Sequence, residues 1–171
     1  MTTARHVLIR SGRIEADDYF VLADDAPLPV SGKLIVSLDR WRREREVLLA
    51  ALASVGVKLP NVVDVAAAWP EIEDRPLIAL DFPGFADGRA YSQARLLSER
   101  FRYAGELRAT GKAVVRDQFH FMVRCGFSSF ELRDDQHAEA CLQALRDFSI
   151  GYQHAADDTS PVFARRRAQA I

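Results

Sequence analysis

From Leu34 onward the chain alternates short, β-prone apolar runs with longer stretches of helical spacing, and that rhythm constrains the fold more than any other feature. Leu34-Ile35-Val36, Gly56-Val57-Lys58-Leu59, Leu77-Ile78-Ala79-Leu80, Gly105-Glu106-Leu107-Arg108-Ala109 and Phe127 to Leu132 read as strands. A helical stretch follows each. The first has Ser37 or Asp39 as its cap and Trp41, Leu48, Leu49 and Leu52 on its apolar face. The second is a short helix or turn from Val63 to Trp69, ended near Pro70. Arg89 to Tyr103, Ala113 to Cys125 (ended by Gly126) and His137 to Asp147 are the others. About five strand–helix units imply right-handed crossovers and a mostly parallel sheet, hence an α/β fold. An open doubly wound sheet is the preferred closure. A partial (β/α) barrel is the alternative, five units being too few for a complete eightfold barrel.

The first thirty residues have a different character. His6 to Arg10 and Tyr19-Phe20-Val21-Leu22 are short strand candidates around a turn at Ser11-Gly12-Arg13, so residues 1–30 read as an N-terminal β-hairpin extension. Residues 31–150 form the α/β core domain, and residues 151–171 an extended tail bearing Arg165-Arg166-Arg167. At 171 residues, one domain is the natural unit, and such a chain buries roughly 70% of its unfolded surface without staples.

Charge and cysteine content exclude several classes of function. With 23 basic and 24 acidic side chains, no global field favours nucleic acid or an anionic membrane. Cys125 and Cys141 form no C-x-x-C pair and are too few for an iron–sulfur cluster. The four histidines lack metal-ligand spacing, so no metal is expected. Apolar runs fall well short of the ~20 residues of a membrane span. A cytoplasmic location is the expectation, cysteine-poor chains suiting a reducing compartment.

In parallel α/β folds ligands bind at the carboxyl ends of the strands. That rule selects Asp81 to Arg89 after the third strand, Arg108 to Lys112 after the fourth, and Glu131 and Arg133 after the fifth. The first loop holds two carboxylates, two glycines and an arginine at a helix start, where free N–H groups attract anions. It reads either as an anion or polar-ligand site, or as a loop in which Asp87 caps the helix and Gly88 relieves a tight turn. Gly105 to Lys112 imitates a phosphate loop but has five residues, not four, before its Gly-Lys pair, and Ala113 replaces the magnesium-binding hydroxyl. No G-x-G-x-x-G occurs, so a Rossmann dinucleotide site is not expected.

Several segments resemble a bacterial family, domain of unknown function 934. They are Ile78 to Pro83, Asp87-Gly88-Arg89-Ala90-Tyr91-Ser92 continuing to Leu97, Gly105 to Ala109, Arg116-Asp117-Gln118, Arg124 to Phe127, and the ending from Tyr152-Gln153 to Arg167. The likeness spans about residues 30 to 167. Lys112 departs from it, since the family commonly has an acidic residue after this glycine. Family members are described as oxidoreductases involved in sulfite reduction, and their genes often neighbour a sulfite reductase gene. The resemblance therefore implies an accessory role in assimilatory sulfite reduction, with sulfite reductase or its electron donor as the partner. It names no cofactor and no catalytic residues. A small enzyme holding an anionic substrate and a non-catalytic interaction module are the alternatives, with oligomerisation left open. The candidate ligand-binding set is Asp81, Asp87, Gly88, Arg89, Ser92, Arg108 and Asp117.

Overall fold

The computed structural model describes residues 7–52, 54–147, 151–157 and 160–169. Among these residues eight strands form one sheet: β1 Val7–Arg10, β2 Arg13–Ala16, β3 Tyr19–Val21, β4 Lys33–Ser37, β5 Ser54–Leu59, β6 Leu77–Phe82, β7 Glu106–Gly111 and β8 Ser129–Glu131. Their order is β2-β1-β8-β7-β6-β5-β4-β3, with β3 to β8 parallel and β1 antiparallel to both its neighbours. The helices are α1 Leu38–Ala51, α2 Val65–Ile72, α3 Arg89–Arg95, α4 Phe119–Arg124, α5 Ala138–Ala144 and α6 Val162–Gln169. A π-helical turn, Leu96–Arg100, prolongs α3, and a 3-10 turn, Arg116–Gln118, precedes α4.

The sheet is a curled half-barrel, which is the alternative closure and not the open doubly wound sheet. Chain length alone makes the curl necessary. The two edge strands, β2 and β3, are joined only by Asp17 and Asp18. Three peptide steps reach at most ~11 Å. A flat sheet of eight strands would hold its edges ~34 Å apart. The edges must therefore swing round until Arg13 to Val21 runs almost continuously from one to the other.

Strand alternation then gives the sheet two unlike faces. Val36, Val57, Leu80, Leu107 and Phe130 turn outward and pack beneath the helices with Trp41, Leu48, Ile72, Leu97 and Phe119. Ile35, Leu77 and Ala79 turn inward, where Tyr19 packs on them. The helices follow from local chemistry. Ser37 caps α1 by accepting from Arg40 N at 3.0 Å, and Asp64 caps α2 by accepting from Ala66 N at 2.9 Å. Fully burying Trp41 in α1 contributes on the order of 2–3 kcal/mol. Its indole also donates to Glu71 O at 2.9 Å. At the end of α4, Gly126 adopts φ 100°, and its N–H and that of Phe127 bond back to Val123 O and Met122 O. This left-handed stop is the one expected at Gly126.

Other expectations need correction. The N-terminal hairpin forms, but its second strand is β2, while Tyr19–Val21 pairs in parallel with β4 at the far edge. The second helix runs through Pro70 to Ile72, held by the buried Ile72 and by Trp69 stacked on Phe101. The helix expected over Ala113 to Cys125 is helical only from Arg116, because Ala113 and Val114 are themselves buried in the core. The tail expected to be extended carries α6.

Candidate functional site

At the carboxyl ends of the strands the half-barrel has a polar mouth. Asp81 shares the inward face of β6 with Leu77 and Ala79, opposite Thr110 of β7. Beside it, Lys58 rises from the same face of β5, in register with Ser37 and Ala79. Its ammonium lies 2.8 Å from Asp81 Oδ1, and both side chains stay about a third exposed. Ser37 donates to Asp24 Oδ1 at 2.6 Å, and Thr110 to Leu80 O at 3.3 Å. At β5 and β6 the mouth thus offers an ammonium–carboxylate pair beside the hydroxyls of Ser37 and Thr110. Asp81 thereby balances the charge of Lys58.

The loop after β6 brings Asp87 and Arg89 together in a two-pronged pair. Arg89 Nε and Nη2 donate to Asp87 Oδ1 and Oδ2 at 2.9 and 2.6 Å. Hydrogen bonding from that guanidinium holds the Asp87 carboxyl well below the ordinary carboxylate range. Asp87 does not fill the cap position of α3. Gly88 does, though the Asp87 carboxylate also accepts from Arg89 N at 3.3 Å. Gly88 has φ −89°, and a Cβ there would meet Tyr91 at an ordinary 3.6 Å. Neither geometry nor space demands a glycine at this position. Ser92 is exposed on α3, and Asp117 is exposed in the turn before α4.

Arg108 lies elsewhere. It sits within β7, not in the loop after it, and is completely buried on the inward face. Its Nη1 donates to Asp17 Oδ2 at 2.7 Å, and its Nε and Nη2 reach Glu106 Oε1 at 2.9 and 2.8 Å. The guanidinium also stands 5.4 Å from the Tyr19 ring centroid. Around it, Ser129 donates to Glu106 at 2.6 Å, Arg10 reaches Glu106 and Asp18 at 3.2 Å, and Lys33 reaches Asp18 at 2.6 Å. This network ties the linker between the two sheet edges to β7. In this structure the four expected residues are paired separately: Asp87 engages Arg89, Asp81 engages Lys58, and Arg108 engages Asp17 and Glu106 inside the half-barrel.

Sequence reasoning passed over Lys58 and Asp17. A signal existed for Lys58, a lone charge in an otherwise apolar strand just before Pro60. Asp17 carried none, since its partner is 91 residues distant. Among the described residues, no group of three His, Cys, Asp or Glu side chains is disposed to hold a metal ion, and no helix is long and apolar enough to cross a membrane.

The half-barrel with its polar mouth defines the chain as a small α/β protein of mixed topology. The family profile of bacterial proteins of unknown function DUF934 matches residues 56–163, so the chain belongs to that family. No curated protein matches it, and no solved structure does.

Proposed function

We propose that this protein serves assimilatory sulfite reduction as an accessory component, acting with sulfite reductase or its electron donor and not as a free-standing sulfite-converting enzyme. The pathway comes from the resemblance carried by Asp87 to Ser92 and its companion segments. The accessory role is supported above all by the disposition of the cations. Arg89 is gripped by Asp87 and Arg108 by Asp17 and Glu106, so an oxyanion would have to displace a carboxylate that already holds the arginine. For the buried Arg108, charge-assisted bonds of this kind contribute roughly 1.5–3 kcal/mol each. That favours intramolecular pairing over a weakly held anion.

Deleting the gene from its host tests this reading. Growth on sulfate or sulfite as sole sulfur source is expected to slow, with sulfide restoring it. The tagged protein should also retain sulfite reductase from sulfate-grown cells. Unchanged growth on sulfite together with no co-purification would overturn the proposal.

A further inference from the structure

On the outer side of the sheet, between α3 and α4, lies a cavity of about 640 Å³ that the mouth of the half-barrel does not share. Arg95 of α3 forms one wall, His120, Phe121 and Arg124 of α4 another, and Tyr152 and His154 a third. Two features distinguish it. No Asp or Glu stands among its described lining residues, although acidic side chains outnumber basic ones in the chain as a whole. Two of its aromatic side chains are left largely in water, Tyr152 at 85% and Phe121 at 58% exposure.

The two arginines differ in what they have to spare. Arg124 is a wall-builder: it donates to Gln153 O and, at 3.3 Å, to Asp157, pinning the 151–157 segment against α4. Among the described residues Arg95 is held through its Nε alone, toward Glu99 at 3.0 Å on the exposed flank, and its two terminal nitrogens are offered to a ligand. His154 sits beside the same opening, its ring 5.7 Å from that of Phe163. At one end Tyr91 donates to Gln118 at 2.8 Å. Burial pushes the Tyr91 phenol up to about 12, so it remains a neutral donor.

We propose that this cavity binds a planar aromatic ring carrying a phosphate or carboxylate, a ligand of mononucleotide size. The volume lies within the range of small-molecule sites, whereas a bare oxyanion would leave most of it empty. Phe121 and Tyr152 supply ring faces for stacking, and Arg95 with His154 supplies donors for the anionic group. The lining itself carries no carboxylate, and the two acidic side chains that reach its arginines, Glu99 and Asp157, are each paired with one of them. This inference does not depend on the sulfite-reduction reading.

Calorimetric titration of the full chain tests it with flavin mononucleotide and adenosine 5′-monophosphate, alongside riboflavin and inorganic phosphate. At least one nucleotide is expected to bind with unit stoichiometry. Riboflavin and phosphate, each holding half of the recognised chemistry, should bind on the order of ten-fold more weakly or not at all. Arg95→Ala and Tyr152→Ala should each weaken the nucleotide by about ten-fold, while Arg43→Ala on α1 leaves it unchanged. Both test residues are exposed, and thermal melts of the variants separate lost binding from lost folding, one variant sufficing if the other unfolds. No heat from either nucleotide at millimolar concentration would overturn the proposal. So would equal binding of riboflavin or phosphate, or wild-type affinity in a folded Arg95→Ala and Tyr152→Ala pair.

Discussion

Arg108 is the residue on which the interior most depends, because nothing but its own partners solvates its charge. Removing one member of such a buried pair leaves the other uncompensated, a loss of about 3–5 kcal/mol. Arg108→Met is predicted to destabilise the fold by that order in urea titration, since Asp17 would lose its arginine and Glu106 would keep only Arg10. Asp17→Asn should cost less, because the amide oxygen still accepts from Arg108 and Glu106 still carries charge. A loss below ~1 kcal/mol for Arg108→Met would show that water reaches the interior and replaces the guanidinium. Arg89 makes the opposite case. Its pair with Asp87 stands in solvent, so Arg89→Ala is predicted to leave the melting temperature unchanged. The Asp87 carboxyl, relieved of its guanidinium, should instead titrate closer to the ordinary aspartate range. Carbon-13 detected titration reads this directly, and an Asp87 carboxyl unmoved by the substitution would mean that Arg89 is not its partner in solution.

At the scale of single elements, local signals in the sequence were informative wherever a short-range contact decides the outcome. Ser37 as a cap, Gly126 as a stop and the five parallel core strands from Leu34 onward are all readable because their partners lie within a few residues or follow from periodicity. Gly126 offers the sharper test. It needs a positive φ, and a Cβ there would fall 1.9 Å from Ser98 Oγ. Gly126→Ala is predicted to cost about 1–3 kcal/mol. Pairing it with Ser98→Ala should recover only part, because removing the hydroxyl still leaves the Cβ of residue 98 at 2.6 Å from the new methyl and leaves the backbone strain. Full recovery in the double variant, measured by urea unfolding, would refute the strain argument. Elements whose ends depend on distant packing were less legible. The helix after β7 begins late because Ala113 and Val114 are drawn into the core beneath it. Pro70 fails to end α2 because Ile72 and the stacked Trp69 anchor the helix on both sides of it.

For the whole molecule the decisive quantity is how far the sheet curls, and the sequence bears a mark of it. Strands buried on both faces of an open sheet should be continuously apolar. Leu34-Ile35-Val36 and Leu77 to Leu80 obey that rule, but Glu106-Leu107-Arg108-Ala109-Thr110 alternates, as does the lysine in Gly56-Val57-Lys58-Leu59. One face of these strands is therefore polar, and helices cannot cover it. Curling places that face inside, where the charges must pair with each other. Nothing in the sequence says that the partners come from Asp17 and Asp18, since those contacts span the whole sheet. Closure by charge pairs has a consequence for pH. Asp18 is exposed, and what burial it has would by itself push its carboxyl up. Hydrogen bonds from Lys33 and Arg10 outweigh this and leave it below the ordinary range. A carboxylate whose folded value is depressed contributes stability that is present above its unfolded value, about 3.9. That contribution is lost as pH falls through the folded value. The closure should therefore weaken on acidification below about pH 4, with the Asp17–Asp18 linker opening before the helices do. Amide exchange of residues 13–21 measured from pH 6 down to pH 3 is predicted to accelerate ahead of exchange in β5 and β6, beyond the intrinsic pH dependence of exchange. Asp18→Asn, which has no proton to take up, should show faster exchange at pH 6 and a flatter response to acid. Protection in residues 13–21 that follows β5 and β6 at every pH, or an Asp18→Asn profile parallel to wild type, would mean that apolar packing of Tyr19 and its neighbours holds the edges together, and not the charges.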